Sequence, residues 1–159
     1  MDSNLEIRKA DKSDLGEILK IQRSAYLAEA AIYEDYSIAP LHESVSEIET
    51  DSASSLILVA LVHGKVVGSI RGKLDGAKVY ISRLSVKGEY QGRGIGGRLL
   101  QAIEDEFEGC IRFELFTGHK SEKNKRLYAT RGYAWSRDQA VSERLALYWM
   151  AKEKVGIGF

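Results

Sequence analysis

The segment "YQGRGIGGRLL", residues 90–100, constrains this chain more than any other stretch. Gly92, Gly94, Gly96 and Gly97 stand at the start of an amphipathic run that ends at Gly109, with Ile95, Leu99, Ile103 and Phe107 on one face at spacing four. Glycines placed so let successive backbone N–H groups turn toward one point without Cβ obstruction. The helix start behind them adds partial positive charge, so the loop is an anion cradle. Two patterns fit it. Gly92, Gly94 and Gly97 spell G-x-G-x-x-G, a dinucleotide fingerprint. Gln91, Gly94 and Gly96 spell Q-x-x-G-x-G, a different loop for a pyrophosphate.

What precedes and follows the loop separates the two. "LEIRKA" alternates as a first strand, and Asp11 or Ser13 can cap a helix that carries Leu15, Ile18, Leu19 and Ile21 inward to about Ala31. A second helix is expected over "HESVSEIETD", with Val45 and Ile48 on one face. Three strands follow, "SLILVALVHG", "KVVGSIRGKLDG" and "KVYISRLSV", punctuated by His63-Gly64 and Asp75-Gly76. They make an antiparallel meander. After the glycine-rich loop and its helix come the strand "CIRFELF", a short helix over "SEKNKRLYATRGY" with Ser121 as N-cap and Gly132 as C-cap, and the strand "RLALYWMAKE". One more short strand is expected near Tyr133 to Trp135. The order β-α-α-β-β-β-α-β-α-β describes an α/β (α+β) chain with a mixed, mostly antiparallel central sheet flanked by helices, in one domain over 1–159.

A dinucleotide fold has support in the loop following a strand, in the helix after it, and in Glu114 about twenty residues on, where a ribose-binding acid belongs. Three features oppose it. The polar segment "KGEY" separates strand from glycines, the loop follows a meander rather than opening β-α-β units, and only about 60 residues remain. The second pattern meets none of these objections, and Arg93 and Arg98 can add charge to it. On spacing alone, a glycine-rich turn with surface arginines also stays open.

Charge narrows the partners. Lys plus Arg and Asp plus Glu each number 23, a balance that argues against a general nucleic-acid binder. The single cysteine, Cys110, rules out an internal disulfide framework and fits a reducing compartment. The polar N-terminal stretch has no signal-peptide pattern, and no apolar run reaches membrane-span length. A cytoplasmic location without membrane association is the expectation. No metal-ligand spacing appears.

"LSVKGEYQGRGIGGRLL" resembles the core motif of the GNAT superfamily of acetyl-CoA-dependent N-acetyltransferases: an apolar strand, a short polar excursion, Q/R-x-x-G-x-G/A and an amphipathic helix. "LFTGHKSEKNKRLYATRGY" is similar to the family's later motif, a strand leading to a helix with N…LY…GY. The element order matches from Leu5 to about Lys152. The resemblance implies a GNAT-like acyl-CoA N-acyltransferase fold, acetyl-CoA as cosubstrate, no metal, and direct transfer to an amine without an acyl-enzyme. It implies that Leu84, Ser85 and Val86 bind the pantetheine arm through backbone groups. It also implies that Gln91, Gly92, Arg93, Gly94, Ile95, Gly96 and Gly97 hold the pyrophosphate and that Asn124 touches the cofactor. Tyr128 matches the tyrosine that faces the thioester sulfur and acts as general acid.

The general base departs from the pattern. Some relatives carry a glutamate eleven residues before the Gln, where this chain has Tyr80. Others carry one on the following strand, where Glu114 is the candidate; a water chain is the alternative. The acceptor, a small-molecule or peptide amine, is expected to be cationic. Residues 29–51 carry seven acids and no Lys or Arg, and in the resembling fold this segment walls the acceptor groove. Glu29, Tyr33, Glu34 and Asp35 are its candidate binding residues. A monomer or homodimer is expected. A second class stays in view: some proteins of this fold bind acyl-CoA as sensors without transferring anything.

Overall fold

The structure, a computed structural model, describes residues 4–154. Strand β1 (Leu5–Lys9) passes through a 3-10 turn into helix α1 (Leu15–Tyr33). Asp11 caps the turn: its side chain accepts the Ser13 N–H, while Asp14 accepts the Asp11 N–H. Helix α1 ends two residues beyond the expected Ala31, where Glu34 takes the left-handed conformation at φ 51°. Helix α2 (Val45–Asp51) starts later than expected because Ser44 and Glu47 form its capping box. Ile48 is fully buried, whereas Val45 points to solvent rather than sharing its face.

The meander forms as expected. Strands β2 (Leu56–Val62), β3 (Lys65–Asp75) and β4 (Lys78–Val86) pair antiparallel in sequence. His63 and Gly64 both take positive φ, which gives the first turn the twist a two-residue hairpin needs. Strand β2 is buried on both faces, and its alternation divides the core. Leu58, Ala60 and Val62 pack with Ile95, Leu99 and Ile103 of helix α3 (Ile95–Asp105). Ile57, Val59 and Leu61 pack on the other face with Leu15, Ile18, Leu19 and Ile48 of α1 and α2. Helix α3 ends before the expected Gly109, yet Phe107 still packs against its core.

Strand β5 (Arg112–Gly118), helix α4 (Glu122–Thr130) and strands β6 (Ala134–Ala140) and β7 (Ala146–Glu153) complete a seven-stranded sheet ordered β1-β2-β3-β4-β5-β7-β6. Ser121 stands at the N-cap position of α4 but makes no side-chain cap bond. Strand β6 is far longer than the hint at Tyr133–Trp135. All pairs are antiparallel except β4–β5, and that pair is short: only Lys78, Val79 and Tyr80 register with Arg112, Phe113 and Glu114. Beyond it β4 runs on to Val86 and β5 to Gly118 without pairing to each other. The sheet therefore opens in its middle, and the unpaired inner edges carry backbone donors and acceptors that require partners. No helix among the described residues is long and apolar enough to cross a membrane.

Candidate active site

Above the opening lies a cleft of about 510 Å³. Its walls are Tyr26, Glu29 and Ile32 of α1, Leu84, Ser85 and Val86 of β4, the loop from Tyr90 to Gly97, and Lys120 to Asn124 at the start of α4. The glycine loop takes the shape its composition predicts. Gly92 and Gly94 have φ of 79° and 81°, and Gly94 is the N-cap of α3. A side chain at either position would be strained. The loop thus presents a helix N-terminus and bare backbone to the cleft. Gln91 braces it: its Nε2 donates to the Val86 carbonyl at 3.0 Å, and its Oε1 accepts from Lys123 Nζ at 2.6 Å. That bond holds an ammonium at the mouth of the anion cradle. Arg93 lies outside the lining and stacks on the Tyr90 ring, 4.9 Å from its centre.

Asn124 sits within the cleft with an orientation that can be assigned. Its Nδ2 donates to Glu29 Oε1 at 3.0 Å and to Thr117 Oγ1 at 3.2 Å. An ionised carboxylate only accepts, so the amide nitrogen must face Glu29. The Asn124 carbonyl then makes no hydrogen bond among the described residues and is an acceptor available to an amide N–H. Tyr128 is buried, 7% exposed, with its ring 6.2 Å from that of Tyr133. Burial pushes its phenol well above the ordinary value, and Tyr26, Glu29 and Tyr80 push in the same direction. Tyr26, which also lines the cleft, has its phenol pushed up to about 12 by burial, and its hydroxyl donates to the Leu84 carbonyl at 3.4 Å. Both tyrosines are neutral donors at any pH near 7.

Other candidates are placed differently. Glu114 lies at the closed end of the strand pair, where Arg112 donates to it at 2.9 Å and Lys78 approaches at 3.7 Å. Of the acids of residues 29–51, several are engaged within the molecule, while Glu29 lines the cleft and Glu34, with Tyr33, lines a second one. Glu43 and Asp51 pair with Arg71, Glu47 caps α2, and Glu49 pairs with Lys12. Asp35 accepts from Ser37, whose hydroxyl and N–H hold its carboxyl below the usual range. Glu34 forms the end of α1 near Arg144, and Glu29 accepts from Asn124 at the cleft wall. Tyr33 is buried, and its hydroxyl accepts the Lys120 N–H at 2.9 Å. It fixes the β5–α4 turn.

That last contact carries a prediction. A Cβ added at Gly118 would lie 2.0 Å from the Tyr33 hydroxyl and 2.5 Å from its ring. Gly118→Ala should therefore destabilise the protein by about 1–3 kcal/mol through overpacking. Thermal denaturation checks it; a melting temperature within a degree of wild type would show that Tyr33 is not held there.

Sequence reasoning missed Tyr26, Lys120 and Lys123. Each lies far along the chain from the glycine loop (Lys123 is 32 residues from the Gln91 it contacts) and is identified only by the fold. No group of three or more His, Cys, Asp or Glu side chains able to hold a metal occurs among the described residues.

A parallel strand pair that opens beside a glycine-lined helix N-terminus, with Lys120 and Lys123 at the cleft wall, is suited to a long anionic ligand. Residues 16–133 match the model of the Acetyltransferase (GNAT) family, and the chain belongs to that family. It is similar to the YncA protein of Salmonella typhimurium with its cofactor acetyl-CoA, at 25% identity and TM-score 0.77, covering 99% of this chain and 98% of that one. It has the fold of the PaiA N-acetyltransferase from Thermoplasma acidophilum in complex with coenzyme A, at 21% identity and TM-score 0.77, over 94% and 99% of the two chains. The ribosomal-protein-alanine N-acetyltransferase from Brucella melitensis shares it at 20% identity and TM-score 0.76, over 94% and 99%.

Proposed function

We propose that this protein moves an acetyl group from acetyl-CoA to a primary amine by direct attack. The observation that carries the reading is the opening between β4 and β5 with the glycine loop lining the cleft beside it, and Tyr128 buried close to the cleft residues Tyr26 and Glu29. The edge at Leu84–Val86, which no strand pairs on the β5 side, supplies backbone partners to the pantetheine amides, replacing the strand neighbour that β5 ceases to be and sharing the Leu84 and Val86 carbonyls with Tyr26 and Gln91. The Asn124 carbonyl accepts a further amide N–H. Gln91 to Gly97 receive the pyrophosphate, with Lys120 and Lys123 adding charge.

The acetyl thioester supplies an activated carbonyl and a sulfur leaving group. Tyr128 donates a hydrogen bond where negative charge develops on that sulfur. A phenol is ordinarily a weaker acid than a thiol, about 10 against 8.5, so proton transfer completes late. Glu114, already ion-paired, has no part in this reading, and the amine reaches the site deprotonated through water.

Thermal shift tests the cofactor assignment. Acetyl-CoA at about a hundred times its Kd should add roughly 2.7 kcal/mol of stability, and NAD should add none. Amine-dependent release of free thiol then separates a transferase from a sensor. A shift with NAD and none with CoA would overturn the assignment, and CoA binding without thiol release on any amine would leave a sensor.

A further inference from the structure

On the sheet face that α1 and α2 leave uncovered, four adjacent strands each contribute one residue to a continuous stripe. Tyr80 on β4 stacks with Phe116 on β5, ring centres 6.1 Å apart, and Phe116 meets Trp149 on β7 at 5.0 Å. Arg137 on β6 lies over the Trp149 ring at 4.3 Å. Phe116 and Trp149 are register partners, as are Trp149 and Arg137, so the alignment is built into the sheet. The three rings are half-buried.

At the β4 end of this stripe stands Arg83. It has φ of 56°, a left-handed conformation that is costly for a residue with a side chain. It lies where the β3–β4 register shifts: Arg71 pairs with Ser82, but Ser69 pairs with Ser85. Such bulges re-aim side chains beside active sites, and this one directly precedes Leu84 at the cleft wall. The Arg83 guanidinium makes no hydrogen bond among the described residues, and its Nε is buried without a hydrogen-bond partner. The carboxylate it meets, Glu43, is 3.5 Å from Nε. Both Glu43 oxygens are already engaged, Oε1 by Arg71 and Gln22 and Oε2 by Arg71. A guanidinium whose donors make no hydrogen bond, held in a strained conformation close enough for its charge to act on both Tyr26 of the cleft and Tyr80 of the stripe, is arranged for an anionic group on the acceptor.

Resting on the acetyltransferase reading, we infer that the acceptor is an apolar α-amino acid, with its carboxylate on Arg83 and its side chain over Tyr80 and Phe116. The reaction balances without a further reactant. The amine nitrogen bonds to the acetyl carbon as the carbon–sulfur bond breaks. One proton of the original ammonium goes to solvent, and a second offsets the proton Tyr128 lends to the thiolate.

Thiol release is measured with L-phenylalanine, L-leucine and L-methionine, with their amides, and with phenethylamine. The free acids should exceed their amides and phenethylamine in kcat/KM by about ten- to a hundredfold, the range of a charge-assisted hydrogen bond. Arg83→Gln should erase that preference by raising KM for the acids while leaving KM for acetyl-CoA unchanged, and Arg83→Lys should keep part of it. The wild-type ratio of acid to amide decides the matter even if the variants fold poorly. Amides or phenethylamine used as well as the acids, or no turnover of any of the three acids, would overturn the inference. Turnover of phenethylamine together with a CoA thermal shift would still leave the acetyltransferase reading standing.

Discussion

Tyr128→Phe should lower kcat by about 10- to 1,000-fold and leave the affinity for CoA nearly unchanged. The substitution removes one oxygen and keeps the ring that packs against Tyr133, so the fold is little affected. What is lost is a neutral donor in a desolvated site, where a hydrogen bond to developing charge is worth more than in water. The Tyr128 hydroxyl makes no hydrogen bond to any described residue, so it need not exchange one partner for another as the sulfur becomes anionic. Because its pKa is raised above 10, Tyr128 remains protonated through pH 9, and the pH profile of kcat should show no descending limb from it there. Single-turnover measurements establish that chemistry limits the rate. Unchanged turnover of the phenylalanine variant under those conditions would remove the acid role.

The elements legible in the sequence were those with a local cause. Helix α3 follows from Ile95, Leu99 and Ile103 on one face, and all three are buried. The meander follows from two glycine turns between apolar runs, and the phosphate loop from glycines whose positive φ the structure shows at 92 and 94. Strand β6 was scarcely legible because "AWSRDQA" is an exposed edge, with no run of alternating apolar residues. Pairing with β7 makes it a strand. For the acids of residues 29–51 a charge is visible in the sequence, but its partner is not. Glu43 finds Arg71 across 28 residues, and the pair forms only when α1, α2 and the meander pack together. The partner of Tyr33 is hidden in the same way, since Lys120 is 87 residues away. The stripe from Tyr80 to Arg137 is invisible to any local pattern, as it runs perpendicular to the strands.

Glu43→Gln should destabilise the protein at pH 7 by roughly 3 kcal/mol, because it leaves a buried arginine with only the more distant and more exposed carboxylate of Asp51. Arg71 is 3% exposed and Glu43 12% exposed, and their bonds are 2.6 and 3.0 Å long. Burial alone would raise the Glu43 pKa, but hydrogen bonds from Arg71 and Gln22 and the charges of Arg71 and Arg83 hold it at about 2. That value lies below the ordinary 4.5 of an unfolded glutamate, so the unfolded chain binds the proton first. The stabilisation is fully present above about pH 5 and is lost as pH falls from 4.5 toward 2. Wild type and variant should therefore differ most near neutrality and converge at the acid end. For a chain of this size the gap at pH 7 corresponds to a melting-temperature drop of about 6–12 °C. Adding Arg71→Met should recover part of it, since an apolar replacement removes the stranded charge. Denaturant titrations from pH 7 down to 3 measure the whole curve. A variant that matches wild type at pH 7 and follows the same acid slope would mean that Arg71 is neutralised by Asp51 alone, and that Glu43 does not support the bulge carrying Arg83.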